Sequence, residues 1–159
     1  MDANLSASAQ KVQDALTAMG YSMQVMELPA STRTAVEAAQ AVGCDVGQIV
    51  KSLIFKGRES GRPFLLLVSG ANRVDLEKAA AAVGEALDKA DADFVRQHTG
   101  FAIGGVPPVG HTEALDTLID VDLLQYPQVW AAAGTPNALF CLSPAELERV
   151  TGGRVVKIA

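Results

Sequence analysis

Apolar positions along the chain repeat with two different periods, and capping residues, glycines and prolines mark where one period gives way to the other. Val12, Leu16 and Met19 recur at helical spacing. Ser6 or Ser8 can cap this first helix and Gly20 stops it. Residues 23–28 read as a short strand broken by Pro29. Thr34, with Glu37 three residues on, forms a capping box for a helix to Val42, and Gly43 ends it. Asp45 can cap one further turn. Residues 49–56 are rich in β-branched and aromatic side chains and predict a strand. The turn at 57–63 returns the chain into 64–69, so the two strands are expected to pair as a hairpin. Phe64-Leu65-Leu66-Leu67-Val68 is apolar without interruption, which predicts burial on both faces.

Asp75 caps an alanine-rich helix to about Val83; the small-residue run at 79–84 is its end and not a spacer. Asp91 or Asp93 starts another helix, which Gly100 ends. Residues 101–103 predict a short strand leading into a glycine–proline loop. Strands follow at 115–121, 129–133 and 138–142, the last two separated by the turn Gly134-Thr135-Pro136-Asn137. Ser143, Pro144 and Glu146 are a helix start, Gly152-Gly153 stops that helix, and 154–158 is a final strand. About eight strands and five helices are expected. Hairpins coexist with strand–helix–strand passages, which predicts an α/β fold with a mixed sheet and not a doubly wound parallel one. No linker or repeat divides the chain, so residues 1–159 are expected to form a single domain.

Composition narrows the function classes. The chain has 159 residues, 49% of them hydrophobic, with a net charge of −5, which excludes disorder. No run of about 18 apolar residues exists, so no membrane span is expected. The first ten residues carry neither a basic nor an apolar leader region, which predicts a cytoplasmic protein. The acidic balance argues against a broad phosphate-tracking surface and hence against DNA, but leaves room for contact with a short nucleic-acid end. Two distant cysteines, Cys44 and Cys141, read as free thiols, with Cys141 in a core strand. With only two histidines and no HExxH or CxxC motif, neither a metal nor another cofactor is expected.

Three features could carry chemistry. Alternation along 49–55 puts Lys51 on the same face as Ile49, Leu53 and Phe55. A lysine there is either functional or snorkels to water at a sheet edge. The stretch Gly104-Gly105-Val106-Pro107-Pro108-Val109-Gly110-His111 predicts a rigid loop. Its remaining N–H groups would have fixed directions, either to bind a carbonyl oxygen or a phosphate or simply to close a turn. It is neither a Walker loop nor GxGxxG, and His111 is either a general base or a turn cap. Asp116, Asp120 and Asp122 are acidic neighbours whose simplest roles are solvation and turn capping. No nucleophile elbow is present, so covalent hydrolysis is poorly supported.

In order and spacing these pieces resemble the YbaK/ProX family of aminoacyl-tRNA editing domains. The carriers are 34–43, Gln48 to Phe55 around Lys51, Thr99 to His111, Thr117-Leu118-Ile119-Asp120, and Val129 to Gly134. The resemblance implies a free-standing deacylase that removes a wrong amino acid from tRNA, often tRNA for proline, on a mixed, partial-barrel sheet flanked by helices. The family lysine falls on Lys51 and the family GxxxP loop on Gly104 and Pro108. The site set implied is Lys51, Gly105 and His111 for catalysis, with Gly104, Pro108, Gly110, Thr34, Ser69, Asp120 and Gly134 toward the substrate. An aminoacyl ester is already activated, so positioning, an oxyanion site and a water suffice, with the adjacent ribose hydroxyl assisting. The alanine-specific branch carries lysine-asparagine-leucine-phenylalanine where this chain has Lys51-Ser52-Leu53-Ile54, which leaves cysteine, alanine, serine, threonine or 2-aminobutyrate open. The expected partners are the acceptor end of a mischarged tRNA and prolyl-tRNA synthetase. The competing reading is a non-catalytic binding module that keeps the fold.

Overall fold

Local capping chemistry sets the helix boundaries in the computed structural model, which describes residues 5–29, 32 and 34–159. Met1 to Asn4, part of the stretch searched for a leader, lie outside those residues. Helix α1 spans Ala7–Ala18, and Ser6 Oγ accepts from the Ala9 N–H at 3.4 Å. Helix α2, Ala35–Val42, starts in a reciprocal capping box between Thr34 and Glu37. Asp75 caps α3, Leu76–Val83, and Asp91 caps α4, Ala92–Thr99. Helix α5, Pro144–Thr151, has a second capping box, between Ser143 and Glu146, with proline in its first turn. Each cap satisfies N–H groups that the first helical turn cannot.

Among the described residues, eight strands form one mixed sheet: β1 Met26–Glu27, β2 Ile49–Gly57, β3 Pro63–Ser69, β4 Leu87–Lys89, β5 Asp116–Asp120, β6 Val129–Ala132, β7 Ala138–Leu142 and β8 Arg154–Val156. Their order is β1-β7-β6-β2-β3-β5-β8, with β4 also on β2. The hairpin β2–β3 is antiparallel, as expected, whereas β2–β6, β3–β5 and β5–β8 are parallel. The fold is thus a single α/β domain with a mixed sheet.

Side-chain alternation on β3 sorts the core into two layers. Leu65 and Leu67 join the main cluster, which holds Val12 and Leu16 of α1, Val95 of α4 and Leu147 of α5. Phe64, Leu66 and Val68 face the opposite way, onto Ala79 of α3 and onto Leu118 and Ile158. Burial on both faces follows from a central strand covered on either side by helices. Ala38 and Ala39 of α2 pack against Ile49 and Leu139 in a third, smaller cluster.

Three expectations need correction. Residues 101–103 form no strand: Phe101 is buried, but Ile103 is 59% exposed and no neighbouring strand offers backbone partners. Strand β4, not expected, replaces it in the count of eight. Leu87-Asp88-Lys89 has little strand propensity of its own and exists through its pairing with Phe55, Lys56 and Gly57 of β2. The strands expected at 23–28 and 154–158 shorten to Met26–Glu27 and Arg154–Val156, the lengths over which β7 and β5 supply a partner.

Gly134 locks the turn after β6 to the rest of the molecule. Its φ is +99°, and a Cβ there would lie 2.5 Å from the Ser8 carbonyl oxygen of α1. Its N–H donates to the Gly105 carbonyl at 2.9 Å. Gly134→Ala combines a left-handed backbone with a backbone clash, so it should cost on the order of 2–4 kcal/mol. Urea denaturation checks this: an unchanged midpoint would mean that the turn is free to move away from α1.

Candidate active site

Strand β2 is paired unevenly. Along one side it runs against β3 from Val50 to Lys56. On the other side, β6 pairs only Ile49 and Val50, and β4 pairs only Phe55 to Gly57. Among the described residues, Lys51-Ser52-Leu53-Ile54 therefore have no strand opposite on that side. The Gly70 N–H donates to the Ile49 carbonyl at 2.7 Å, and the Gly57 N–H donates to the Arg62 carbonyl at 2.9 Å. Both contacts put odd-numbered β2 residues in hydrogen-bonded register with the β3 side. Antiparallel ladders alternate, so the backbone N–H and C=O of Ser52 turn toward the gap.

A cleft of about 530 Å³ opens at this gap. Its wall includes Lys51, Ser52, Ile54, Val95, Gly104 and Val106. Thr34 at the start of α2 and Lys89 at the end of β4 also reach it. Among the described residues no carboxylate lines it, so a protein with net charge −5 presents a cleft whose charged side chains are both lysines. Such focusing favours an anionic ligand. A second cavity, of about 270 Å³, lies near Phe64, Asp116 and Arg154 and contains none of the expected site residues.

Lys51 is held from behind. Its Nζ donates to the Asn72 carbonyl. The Asn72 side chain in turn donates to Asp120 Oδ2 at 2.9 Å and to Asp122 Oδ2 at 2.8 Å. Asp120 is 1% exposed and also accepts from the Ser69 N–H at 3.0 Å and the Asp122 N–H at 3.0 Å. Ser69 Oγ donates to the Gly47 carbonyl at 2.7 Å. Ser69 and Asp120 thus fix the turn that carries Asn72, and Asn72 fixes the amine. Burial lowers the Lys51 pKa below the ordinary 10.5; the nearby Arg73 lowers it further, while Asp120 opposes both.

The glycine–proline loop divides into a cleft part and a structural part. Gly104 and Val106 line the cleft. Among the described residues, neither their N–H groups nor the Ser52 N–H has an acceptor. Gly105, between them, is engaged: its N–H donates to the Ala102 carbonyl at 3.1 Å and its carbonyl accepts from Gly134. A Cβ on Gly105 would meet Gly134 and Thr135 backbone at 2.9 Å, so the two glycines form a close backbone crossing. Pro108, Gly110 and His111 lie further along the loop, away from the cleft wall. His111 Nε2 donates to the Pro107 carbonyl at 2.6 Å, closing the loop on itself.

The structure therefore brings Lys51, Thr34 and Gly104 to one cleft. It sets Ser69 and Asp120 behind Lys51, Gly105 and Gly134 at the crossing, and Pro108, Gly110 and His111 in the loop body. Sequence reasoning missed Asn72, and it named Ser52 and Val106 only inside longer stretches without assigning either to the site. Nothing in the local pattern marks an asparagine in a turn or a serine in a strand; the pairing gap and the hydrogen bonds do.

The family described as "Aminoacyl-tRNA editing domain" matches residues 29–150. A solved structure titled "Crystal structure of a putative trans-editing enzyme for prolyl tRNA synthetase" is 58% identical, with a TM-score of 0.93 over 98% of each chain. The Bacillus subtilis protein YwhH is 29% identical over 93% of this chain and 94% of its own. The Enterococcus faecalis protein named "Putative Cys-tRNA(Pro)/Cys-tRNA(Cys) deacylase EbsC" is 26% identical over 79% of this chain and 76% of its own. Among the described residues no group of three His, Cys, Asp or Glu could hold a metal ion, and no helix is long and apolar enough to cross a membrane.

His111 also makes the fold sensitive to acid. Burial lowers its pKa below the ordinary 6.5, more than the Pro107 carbonyl raises it, and Lys11 adds to the lowering. The unfolded chain then takes up this proton first, so the stability His111 contributes is present above about pH 6.5 and lost as pH falls below it. The melting temperature should drop less between pH 7.5 and pH 5.5 in His111→Gln than in the wild type. Equal drops would remove His111 as the source.

Proposed function

Because this chain belongs to the family of aminoacyl-tRNA editing domains, we propose that it hydrolyses the ester joining a small wrong amino acid to tRNA for proline. It would act in trans, as one editing domain over residues 1–159, in the cytoplasm and beside prolyl-tRNA synthetase. The observation that carries this reading is the lysine-bearing cleft at the β2 gap, lined by no carboxylate among the described residues and bordered by Gly104 and Val106. The names printed for the 58%- and 26%-identical relatives support the choice of tRNA.

The chemistry asks little of side chains. The ester is already activated, so the barrier falls through positioning and through donors aimed at the developing oxyanion. The Gly104 and Val106 N–H groups are the donors we assign to that oxygen. Lys51, held by Asn72, takes the terminal phosphate or the developing negative charge. Proline would be excluded sterically, since a methylene in an apolar pocket is worth only about 1–3 kcal/mol. The terminal ribose hydroxyl beside the ester assists the attacking water, a role supported by the engagement of His111 with Pro107. We take the hydrolysis to be independent of metal, so it should survive EDTA.

The first test is a deacylation panel of tRNA for proline charged with proline, alanine, cysteine and serine. Hydrolysis of one or more small wrong amino acids, with proline spared, is expected. Lys51→Ala should abolish it with the melting temperature nearly unchanged. No release of any amino acid would favour the non-catalytic binding module instead, and full activity in Lys51→Ala would take the lysine out of the mechanism.

A second test separates the two sources of water activation. His111→Ala should leave the rate within a few-fold, whereas a deoxy substitution of the hydroxyl beside the ester should stop the reaction. A loss of about 10²–10⁴ in His111→Ala, the range of a missing general base, would reverse the assignment.

A further inference from the structure

Ser52 stands out among the polar side chains of the described residues. Its Oγ is the one buried side-chain nitrogen or oxygen among them that has no hydrogen-bond partner. Buried hydroxyls are nearly always paired, and an unpaired one costs stability that a fold seldom gives up without a use. Ser52 lines the cleft and sits in the middle of the stretch of β2 that has no strand opposite. The orphaned group is therefore at the proposed site and not in a remote corner of the core.

The surroundings say which part of a ligand it would meet. Alternation turns Ser52 to the face opposite Lys51, the face of Val50 and Ile54. Val50, Ile54, Val95 and Val106 belong to the main core cluster, and all four also line the cleft. This end of the cleft is apolar, and the buried Ser52 hydroxyl lies just beneath its wall, where a ligand group that packs into the gap would meet it. The phosphate and ribose belong at the lysine, so the apolar end receives the aminoacyl group. The α-ammonium would find its acceptor in the Ser52 backbone carbonyl, which turns toward the gap, and does not need the hydroxyl. What remains is the amino-acid side chain.

We infer that Ser52 is a specificity-determining residue that selects aminoacyl side chains carrying a hydrogen-bonding group on their β-carbon, a hydroxyl or thiol, over apolar side chains of the same size. This rests on the deacylase reading above and narrows its substrate class to seryl, threonyl or cysteinyl esters over alanyl and 2-aminobutyryl ones. The physical basis is an asymmetry. Apolar walls discriminate weakly between isosteres, whereas a buried polar group left unpaired penalises the ligand that cannot reach it.

The sharpest comparison uses seryl and 2-aminobutyryl esters on tRNA for proline, which differ only by a hydroxyl in place of a methyl group. Wild-type kcat/KM should favour the seryl ester about ten-fold or more. Ser52→Ala should bring the two within about three-fold, through a fall in the seryl value alone. The melting temperature of that variant should not fall, since it removes an unpaired buried hydroxyl and keeps the strand. Equal loss on both esters would mean that Ser52 meets a part common to them, and no change would mean that it meets neither; either result overturns the inference. Binding of the two corresponding non-hydrolysable 3′-aminoacylamino-3′-deoxyadenosines, measured by calorimetry, separates this inference from the reaction itself. A seryl preference in binding that Ser52→Ala abolishes, in a protein that hydrolyses no ester, would keep the pocket and reject the deacylase. An active protein whose binding shows no such preference would keep the deacylase and reject the pocket.

Discussion

The unequal pairing of β2 is the constraint on which the rest of the structure depends. A strand that runs its whole length against β3 is rigid and central, and its two lysine-flanked ends are held by β6 and β4. Between those ends four residues have no strand opposite among the described residues. A complete ladder there would use up the Ser52 backbone groups and close the cleft. Because β6 leaves after Val50 and β4 arrives only at Phe55, the sheet keeps its cooperativity and still offers unpaired donors and acceptors to a ligand. The candidate site is a gap in the sheet, built on a strand, which favours precise positioning.

The polar residues around the gap act in series. Asp120 binds the turn after β3, Asn72 in that turn binds Lys51, and Lys51 faces the cleft. The buried carboxylate is thus spent on holding a backbone segment and does not itself face the ligand. On the opposite wall, the crossing of Gly105 and Gly134 ties the loop to α1, and the Gly104 and Val106 N–H groups have no acceptor among the described residues. The two walls come from distant parts of the chain, yet each is anchored in the same sheet. An acidic protein can then offer a locally positive cleft: among the described residues no carboxylate lines it, and Asp120 lies behind the lysine.

What could be read from the sequence follows from the range of the interactions. Helix starts were legible because capping is local: Thr34 with Glu37, Asp75, Asp91, and Ser143 with Pro144 each announce themselves within four residues. The double burial of 64–68 was legible because a central strand is apolar without interruption. Strand β4 was not legible, since Leu87-Asp88-Lys89 is a strand only by virtue of its partner. The apolar run at 101–103 misled for the converse reason, having no strand partner among the described residues. The agreement on eight strands hides these two compensating differences. At the site, alternation singled out Lys51 and loop chemistry singled out Gly104. Asn72 stayed invisible, and Ser52 and Val106 were named only inside longer stretches, because their importance lies in what is missing or present across the sheet and not in their neighbours along the chain.

A crystal structure with bound 3′-serylamino-3′-deoxyadenosine tests this account most directly. The seryl group should lie in the gap between β6 and β4, its hydroxyl within hydrogen-bond reach of Ser52 and its amide oxygen facing the Gly104 and Val106 amides. The adenosine should run toward Lys51. An aminoacyl group seated instead in the cavity near Phe64, Asp116 and Arg154, or outside the gap altogether, would contradict it.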